Sequence, residues 1–379
     1  MAEPKVRFKR IDGSSYPAWR TIPMSEVFTE ISEKNHPDLP VLSVQQGVGT
    51  VLRDSSDRNI LYDKSNLKNY KAMKKDDYII HLRSFEGGLE CSNYDGISSP
   101  AYRILRSQAI LPAAYRDYFR SYEFIHNKLA VSVVGIRDGK NIDMDTFWQI
   151  PMSVPSIEEQ QKIADFLSSV DDVITASEEE VANLETQKKA VMKKIFSQEI
   201  RFKRADGSDF PEWEENALSE RTSNFRSGKN IEAEKIKTEG IYPVIGGNGI
   251  RGYTDTYNHD GIYAVVGRQG ALCGNVNLID GKNYLTEHAV AVRGDDRTDT
   301  VFLSFLLDHM NLRKHSGQSA QPGLAVSEII KLTALFPCIE EQRLIADFLS
   351  DFDEAIAAAK KELELWKELK KGLLQQMFV

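Results

Sequence analysis

Cysteine is scarce. The chain has 379 residues and only three cysteines, Cys91, Cys273 and Cys338, far apart and in no CxxC or Cys/His cluster. That spacing points to neither a disulfide framework nor a zinc centre, and it fits a reducing, cytoplasmic setting. No run of eighteen apolar residues is present, so no membrane span is expected. The opening stretch MAEPKVRFKR has no apolar core of the kind a secretory signal needs. Catalytic motifs are also missing: no GxSxG elbow, no HExxH, no GxxxxGK(S/T) and no (D/N)PP(Y/F). The reading is of a chain without a catalytic site and without a metal site. His259, His288 and His315 lie near acids, but nothing around them completes a catalytic set, so they read as satisfied surface or core histidines.

What the chain does contain is repetition. PSIEEQQKIADFLSSVDDVI at 155–174 returns as PCIEEQRLIADFLSDFDEAI at 337–356, and twelve of the eighteen positions from 157 to 174 are identical at an offset of 182. Each copy opens a helical run. Ile163, Leu167, Val170, Ile174, Val181 and Leu184 follow alternating steps of four and three. Ile345, Leu349, Phe352, Ile356, Ala359, Leu363 and Trp366 do the same. A 3.5-residue apolar period held over several heptads predicts a coiled-coil seam, and each stripe is the simplest partner for the other.

A second pair of copies, RFKRIDGSSYPAW at 7–19 and RFKRADGSDFPEW at 201–213, follows another rule. In mid-chain this element comes directly after the first helix. After the second helix the matching element is absent, and it stands instead at the N-terminus. The two halves are related like a circle cut once. The N-terminal element should therefore lie beside the C-terminal end of the second helix, and antiparallel pairing of the arms should place the rest of the halves at opposite ends.

Net charge is −8, which at first sight argues against a nucleic-acid partner. Its location changes that reading. Residues 157–199 and 339–379 together hold 19 acids against 11 bases, which accounts for all of it. Residues 20–155 are balanced at 17 against 17, and residues 215–338 carry 14 acids and 13 bases. The acidity belongs to solvated helix faces, leaving room for local basic surfaces elsewhere.

Between the helices, short β-rich pieces (VLSV, DYIIHL, AYRIL) alternate with turn residues and one helical stretch over 115–129. The second half repeats the plan with IYPVI, GIYAVVG, NVNLI and AVAVR, then a helix near 301–312. The expected fold class is α+β: two pseudo-repeated globular α/β domains separated by a long antiparallel coiled coil. The expected boundaries are 1–155, 156–199, 200–338 and 339–379. Within GGNGIRG, Gly247, Gly249 and Gly252 have GxGxxG spacing, but the following YTDTYNHDG is strand-like, against a dinucleotide fingerprint. Two readings remain: a glycine-rich loop bringing Arg251 close to a ligand, or a tight hairpin with no ligand.

Polar side chains suited to reading base edges gather in the loops. The first domain offers Ser43, Gln45 and Gln46, then Arg83 and Ser84, then Arg137, Lys140 and Asn141. The second offers Asn248 and Arg251, then Arg268 and Gln269, then Gln318, Ser319 and Gln321. Singly these are ordinary loop residues; the recurrence of three groups in both halves favours a DNA-reading role.

A quasi-repeated chain with two variable heads and two PxxEEQxxIADFL helices resembles the specificity subunit of type I restriction–modification systems. The resemblance covers essentially the whole chain and is strongest in the two repeat pairs. It implies that each head reads one half of a split, asymmetric sequence in double-stranded DNA, and that the helices act as a ruler for the gap. It also implies two methyltransferase subunits bringing S-adenosylmethionine, and two motor–nuclease subunits bringing ATP and Mg chemistry, with no cofactor bound by this chain. Methyltransferase docking would fall on residues 157–199 and 339–379, with Phe166 and Phe348, and on Trp19 and Trp213. Two other classes compete. One is a coiled-coil protein-interaction scaffold without DNA readout, separated from the first by the steep salt dependence of DNA binding. The other is a nucleotide-dependent enzyme built on GGNGIRG, which nucleotide-binding assays would detect.

Overall fold

The computed structural model describes residues 4–53, 64–80, 88–135, 141–270, 272–316 and 323–378. The chain divides into two units, Met1–Glu178 with Lys361–Val379, and Glu179–Lys360. The division runs through both long helices, Ile157–Phe196 and Ile339–Met377, so each head keeps part of each helix.

Each unit is built on an antiparallel four-stranded sheet. In the first unit the order is Phe28–Ile31, Arg103–Ser107, Tyr78–Ile80, Glu90–Cys91. In the second it is Thr222–Ser227, Ala289–Gly294, Tyr263–Gly267, Val276–Ile279. In the second unit the central strands carry continuous apolar runs because both faces are covered; Ala289, Val290, Ala291 and Val292 are completely buried. The entry and exit strands of each head pair with one another. Arg20–Pro23 runs antiparallel to Pro151–Val154, and Glu214–Ala217 to Thr333–Phe336.

The two long helices meet inside each unit. In the first, Ile163, Leu167 and Val170 are buried. Lys367 Nζ lies 2.9 Å from Glu178, and Lys370 Nζ 2.5 Å from Asp171. In the second, Ile345, Leu349 and Ile356 are buried. There Lys360 Nζ lies 2.6 Å from Glu185, and Lys188 Nζ 2.6 Å from Asp353. Within each unit residue numbers rise along one helix as they fall along the other, so the segments are antiparallel.

The expected circular closure is also there. Val6 N donates to Gln376 O at 3.1 Å, and the Trp19 and Phe378 rings are 6.3 Å apart. In the second unit the corresponding rings, Trp213 and Phe196, are 6.4 Å apart on continuous chain.

Each short repeat is bound by an equivalent buried carboxylate. Glu159, completely buried, accepts from Arg7 Nε and Nη2 at 3.0 and 2.8 Å and from Trp19 Nε1 at 3.1 Å. Glu341, also completely buried, accepts from Arg201 Nε and Nη2 at 3.3 and 3.0 Å and from Trp213 Nε1 at 3.1 Å. The neighbouring glutamines tie each helix start to its head. Gln160 accepts from Leu111 N at 2.7 Å and donates to Ala109 O and Pro155 O, both at 3.1 Å. Gln342 accepts from Asp299 N at 2.8 Å and donates to Arg297 O at 3.0 Å and Pro337 O at 2.8 Å. A carboxylate can be buried this deeply because three charge-assisted or aromatic N–H donors replace its water.

One element departs from expectation. The helical stretch over 115–129 is not one helix but four short pieces: Pro112–Tyr115, the 3-10 turn Tyr118–Arg120, the π-turn Phe124–Lys128, and the 3-10 turn Leu129–Ser132. Tyr115, Tyr118, Phe119 and Phe124 all enter the core, and Phe124 is out of phase with the other three on an α-helix. The chain therefore breaks at Ser121, which is extended and whose Oγ accepts from Phe124 N at 3.2 Å. The helix expected near 301–312 is observed as Thr300–His309, with Asp299 capping Val301 N and Phe302 N.

Replacing Glu159 with Ala would remove the acceptor of the Trp19 N–H and the carboxylate partner of the Arg7 guanidinium. We expect a loss of about 3 kcal/mol in the stability of the first unit, with Glu159→Gln losing less. Urea denaturation of the purified protein checks this; an unchanged midpoint would rule out the carboxylate as the organising contact.

Candidate functional site

The two heads carry equivalent hairpins with different tips. In the first unit, Leu42–Gln45 pairs with Gly49–Leu52, with Gln45 opposite Gly49. In the second, Tyr242–Gly246 pairs with Gly249–Thr254, with Gly246 opposite Gly249. Gly49 and Gly249 share a left-handed backbone, with φ of 100° and 101°. A Cβ on Gly49 would also meet Cys91 O at 2.3 Å, so only glycine fits there.

In the first unit the tip projects Gln45, Gln46, Gly47 and Val48 into solvent. It is held from below. Glu90, itself buried, accepts from Gly47 N at 2.7 Å and is paired with Arg120 at 2.7 Å. Asn93 Nδ2 donates to Val48 O at 2.9 Å and Thr50 O at 3.0 Å. The remaining exposed candidate here is Asn141, whose Oδ1 accepts from Ile142 N at 2.8 Å. Arg83, Ser84, Arg137 and Lys140 lie outside the described residues.

The second unit brings its first two candidate groups together. The Gly247 and Gly267 backbones touch: a Cβ on Gly267 would lie 2.4 Å from Gly247 O. That contact places the Gly247–Asn248 tip beside Arg268. Arg251 lays its aliphatic stem over Gly246, and both Asn248 and Arg251 are exposed. Arg268 is partly committed to the fold, donating from Nε to Leu324 O at 3.3 Å and from Nη1 to Ser227 Oγ at 3.4 Å. Gln269 is exposed and bridges to Gly323. Gln318, Ser319 and Gln321 lie outside the described residues.

The glycine-rich GGNGIRG is thus the tip and return strand of this hairpin, and a strand follows where a dinucleotide site needs a helix. The hairpin geometry is common to both readings left open for it, and Arg251 stands exposed on the return strand. His259 pairs its Nδ1 with Asn258 Oδ1 at 2.6 Å and is held below the ordinary histidine range by burial. His288 is 3.1 Å from Glu287. Among the described residues no cluster of His, Cys, Asp and Glu could hold a metal ion, and no helix is long and apolar enough to cross a membrane.

The aromatic residues expected at a docking surface differ in accessibility. Trp19 and Trp213 are buried, at 5% and 8% exposed, and bonded to Glu159 and Glu341. They serve internal packing and present little surface. Phe166 is half-buried against Phe8, and Phe348, at 37% exposed, packs edge-on to Phe202. Residues that sequence reasoning missed are the supports of the first tip, Glu90, Asn93 and Arg120. Only the identity of EEQ in both long repeats signalled the two buried Glu–Gln pairs.

Comparison with known proteins agrees with this geometry. The family model described as the type I restriction modification DNA specificity domain matches residues 27–186 and 212–365. The type I restriction enzyme EcoprrI specificity subunit of Escherichia coli is 46% identical over 133 residues, 34% of this chain and 33% of that protein. The chain thus matches about a third of that relative's length. The MjaVIII specificity subunit of Methanocaldococcus jannaschii is 24% identical over 310 residues, covering 73% of this chain and 72% of that one. Among solved structures, the S subunit of a type I restriction–modification system from M. genitalium superposes with a TM-score of 0.61 at 16% identity, over 100% of this chain and 99% of that one. A second, from work on complex assembly and conformational transition of the type I R-M system, gives a TM-score of 0.58 at 17% identity, over 96% and 98%. These distant structures speak to the fold. The family model carries the assignment, matching both heads and most of both long helices: the chain belongs to the type I restriction–modification DNA specificity family.

Proposed function

We propose that this chain is the non-catalytic subunit that selects the DNA target of a type I restriction–modification complex, each head reading one half of a bipartite sequence. The observation that supports this best is the recurrence in both heads of one four-stranded sheet accompanied by a separate, differently tipped hairpin. A shared scaffold with divergent tips suits two readers of different half-sites. In the first head, Gln45, Gln46 and Asn141 are the described candidates for base contact; in the second, Asn248, Arg251, Arg268 and Gln269 are. Gln and Asn match adenine edges and Arg matches guanine edges.

The paired helices act as the ruler. At about 1.5 Å per residue, roughly 40 residues span about 60 Å, more than one turn of B-DNA. Two methyltransferase subunits dock on residues 157–199 and 339–379, using surface such as that around Phe166 and Phe348. They bring S-adenosylmethionine, and two motor–nuclease subunits bring ATP and Mg; this chain supplies no reacting group. A cytoplasmic setting suits such a complex.

Exchanging residues 20–155 for those of another member of the family should change one half-site and leave the other intact. Methylation mapping in cells carrying the chimaera with its methyltransferase reads this directly; a change in both halves, or in neither, would contradict one head per half-site.

Inserting four residues near Ser177 lengthens the first helix by about 6 Å. The preferred gap between half-sites should shift by one or two base pairs, at about 3.4 Å each. An unchanged gap would defeat the ruler role.

Binding should also weaken steeply with salt. For about six phosphate contacts, affinity falls roughly a thousandfold between 50 and 200 mM. Titration of the chain with its methyltransferase against target duplex checks this, and a flat salt response would favour a protein scaffold.

A further inference from the structure

Each unit contains a lysine from one long helix set against an aspartate from the other and an aspartate from the head. In the first unit, Lys370 Nζ is 2.5 Å from Asp171 on the facing helix and 2.5 Å from Asp117 in the head. Its side chain is only 18% exposed. In the second unit the helices exchange roles. Lys188 now comes from the first helix and Asp353 from the second, 2.6 Å apart. Lys188 Nζ also lies 4.8 Å from the Phe305 ring centre, and Asp308 lines the same cavity of about 460 Å³. The lysines and the helix aspartates are each related by the repeat offset of 182. The same device has therefore been built twice, from opposite helices, at two places that neither the hairpin tips nor the exposed aromatics involve.

We infer that these lysine–aspartate clusters are positioning residues that pin each recognition head to its own segment of the helical pair and thereby set how strictly the gap between half-sites is enforced. Three chain segments meet at one cation in the first unit. A head that rotates about its entry and exit strands, Arg20–Pro23 and Pro151–Val154, must break that contact. Burial alone would lower the Lys370 ammonium, but Asp117 and Asp171 outweigh it and hold it above the ordinary lysine range, so it stays charged. The second cluster is more open. Burial pushes Asp308 up, against the lowering pull of Lys188, and the head meets Lys188 through the Phe305 ring, with Asp308 lining the same cavity. The first head is the more tightly pinned of the two.

This role rests on the DNA-reading function proposed above. The test uses the full chain with its methyltransferase and duplexes that keep both half-sites while the gap varies by one base pair. The readout is the ratio of methylation rates at the preferred and altered gaps. Lys370→Met should retain both half-sites but lower that ratio by about tenfold, equivalent to about 1.4 kcal/mol. Lys370→Arg, which keeps the charge, should restore it, and Lys188→Met should have the smaller effect. If Lys370→Met fails to fold, the near-isosteric Asp117→Asn decides, with the same loss expected. Wild-type ratios in both Lys370→Met and Asp117→Asn would overturn the pinning role. A wild-type complex with no gap preference would instead overturn the DNA-reading function, and this role with it.

Discussion

The structure depends on two buried carboxylates. Glu159 and Glu341 stand in the first turns of the long helices, and each gathers an arginine and a tryptophan from a short repeat that is distant in sequence. Placing a carboxylate in a helix's first turn also favours it electrostatically. Arg7 and Arg201 donate onward to Pro17 O at 2.7 Å and Pro211 O at 2.6 Å, so the carboxylate, guanidinium and turn carbonyl form one connected network. With the adjacent Gln160 and Gln342, this network fixes three things at once: where the helix begins, how the short repeat folds over it, and how the head's first and last strands meet.

That constraint explains how the two heads can differ so much. The recurring parts are the sheet order, the entry–exit strand pair and the Glu–Gln contacts. The parts that differ are tips and crossings that the network does not touch. The first tip is held by Glu90 and Asn93, the second by the approach of Gly247 to Gly267. A scaffold whose integrity lies at the helix junction leaves its far loops free to vary in chemistry, which is what recognition of unlike half-sites requires.

Much of this was legible in the sequence. The two helices, their antiparallel pairing within each unit and the contact of the N-terminal element with the second helix's end followed from repeats and a 3.5-residue apolar period. Those signals are local, or they compare the chain with itself. The segmented stretch after Pro112 was not legible, because burial of Phe124 alongside Tyr115, Tyr118 and Phe119 overrides helical periodicity. Glu90 and Asn93 were not legible either. The tip residues they hold lie more than forty residues away in sequence, and no pattern in sequence marks such a contact. The buried roles of Trp19 and Trp213 became clear only with Glu159 and Glu341 in place, although EEQ stood in both repeats.

The central proposal is that one chain carries two readers of different half-sites. Genome-wide mapping of methylated adenines in cells expressing this chain with its methyltransferase tests that most directly. The account predicts a single motif of two unlike specific halves divided by an unread gap of constant length. A continuous motif, a gap of variable length, or no motif at all would contradict it.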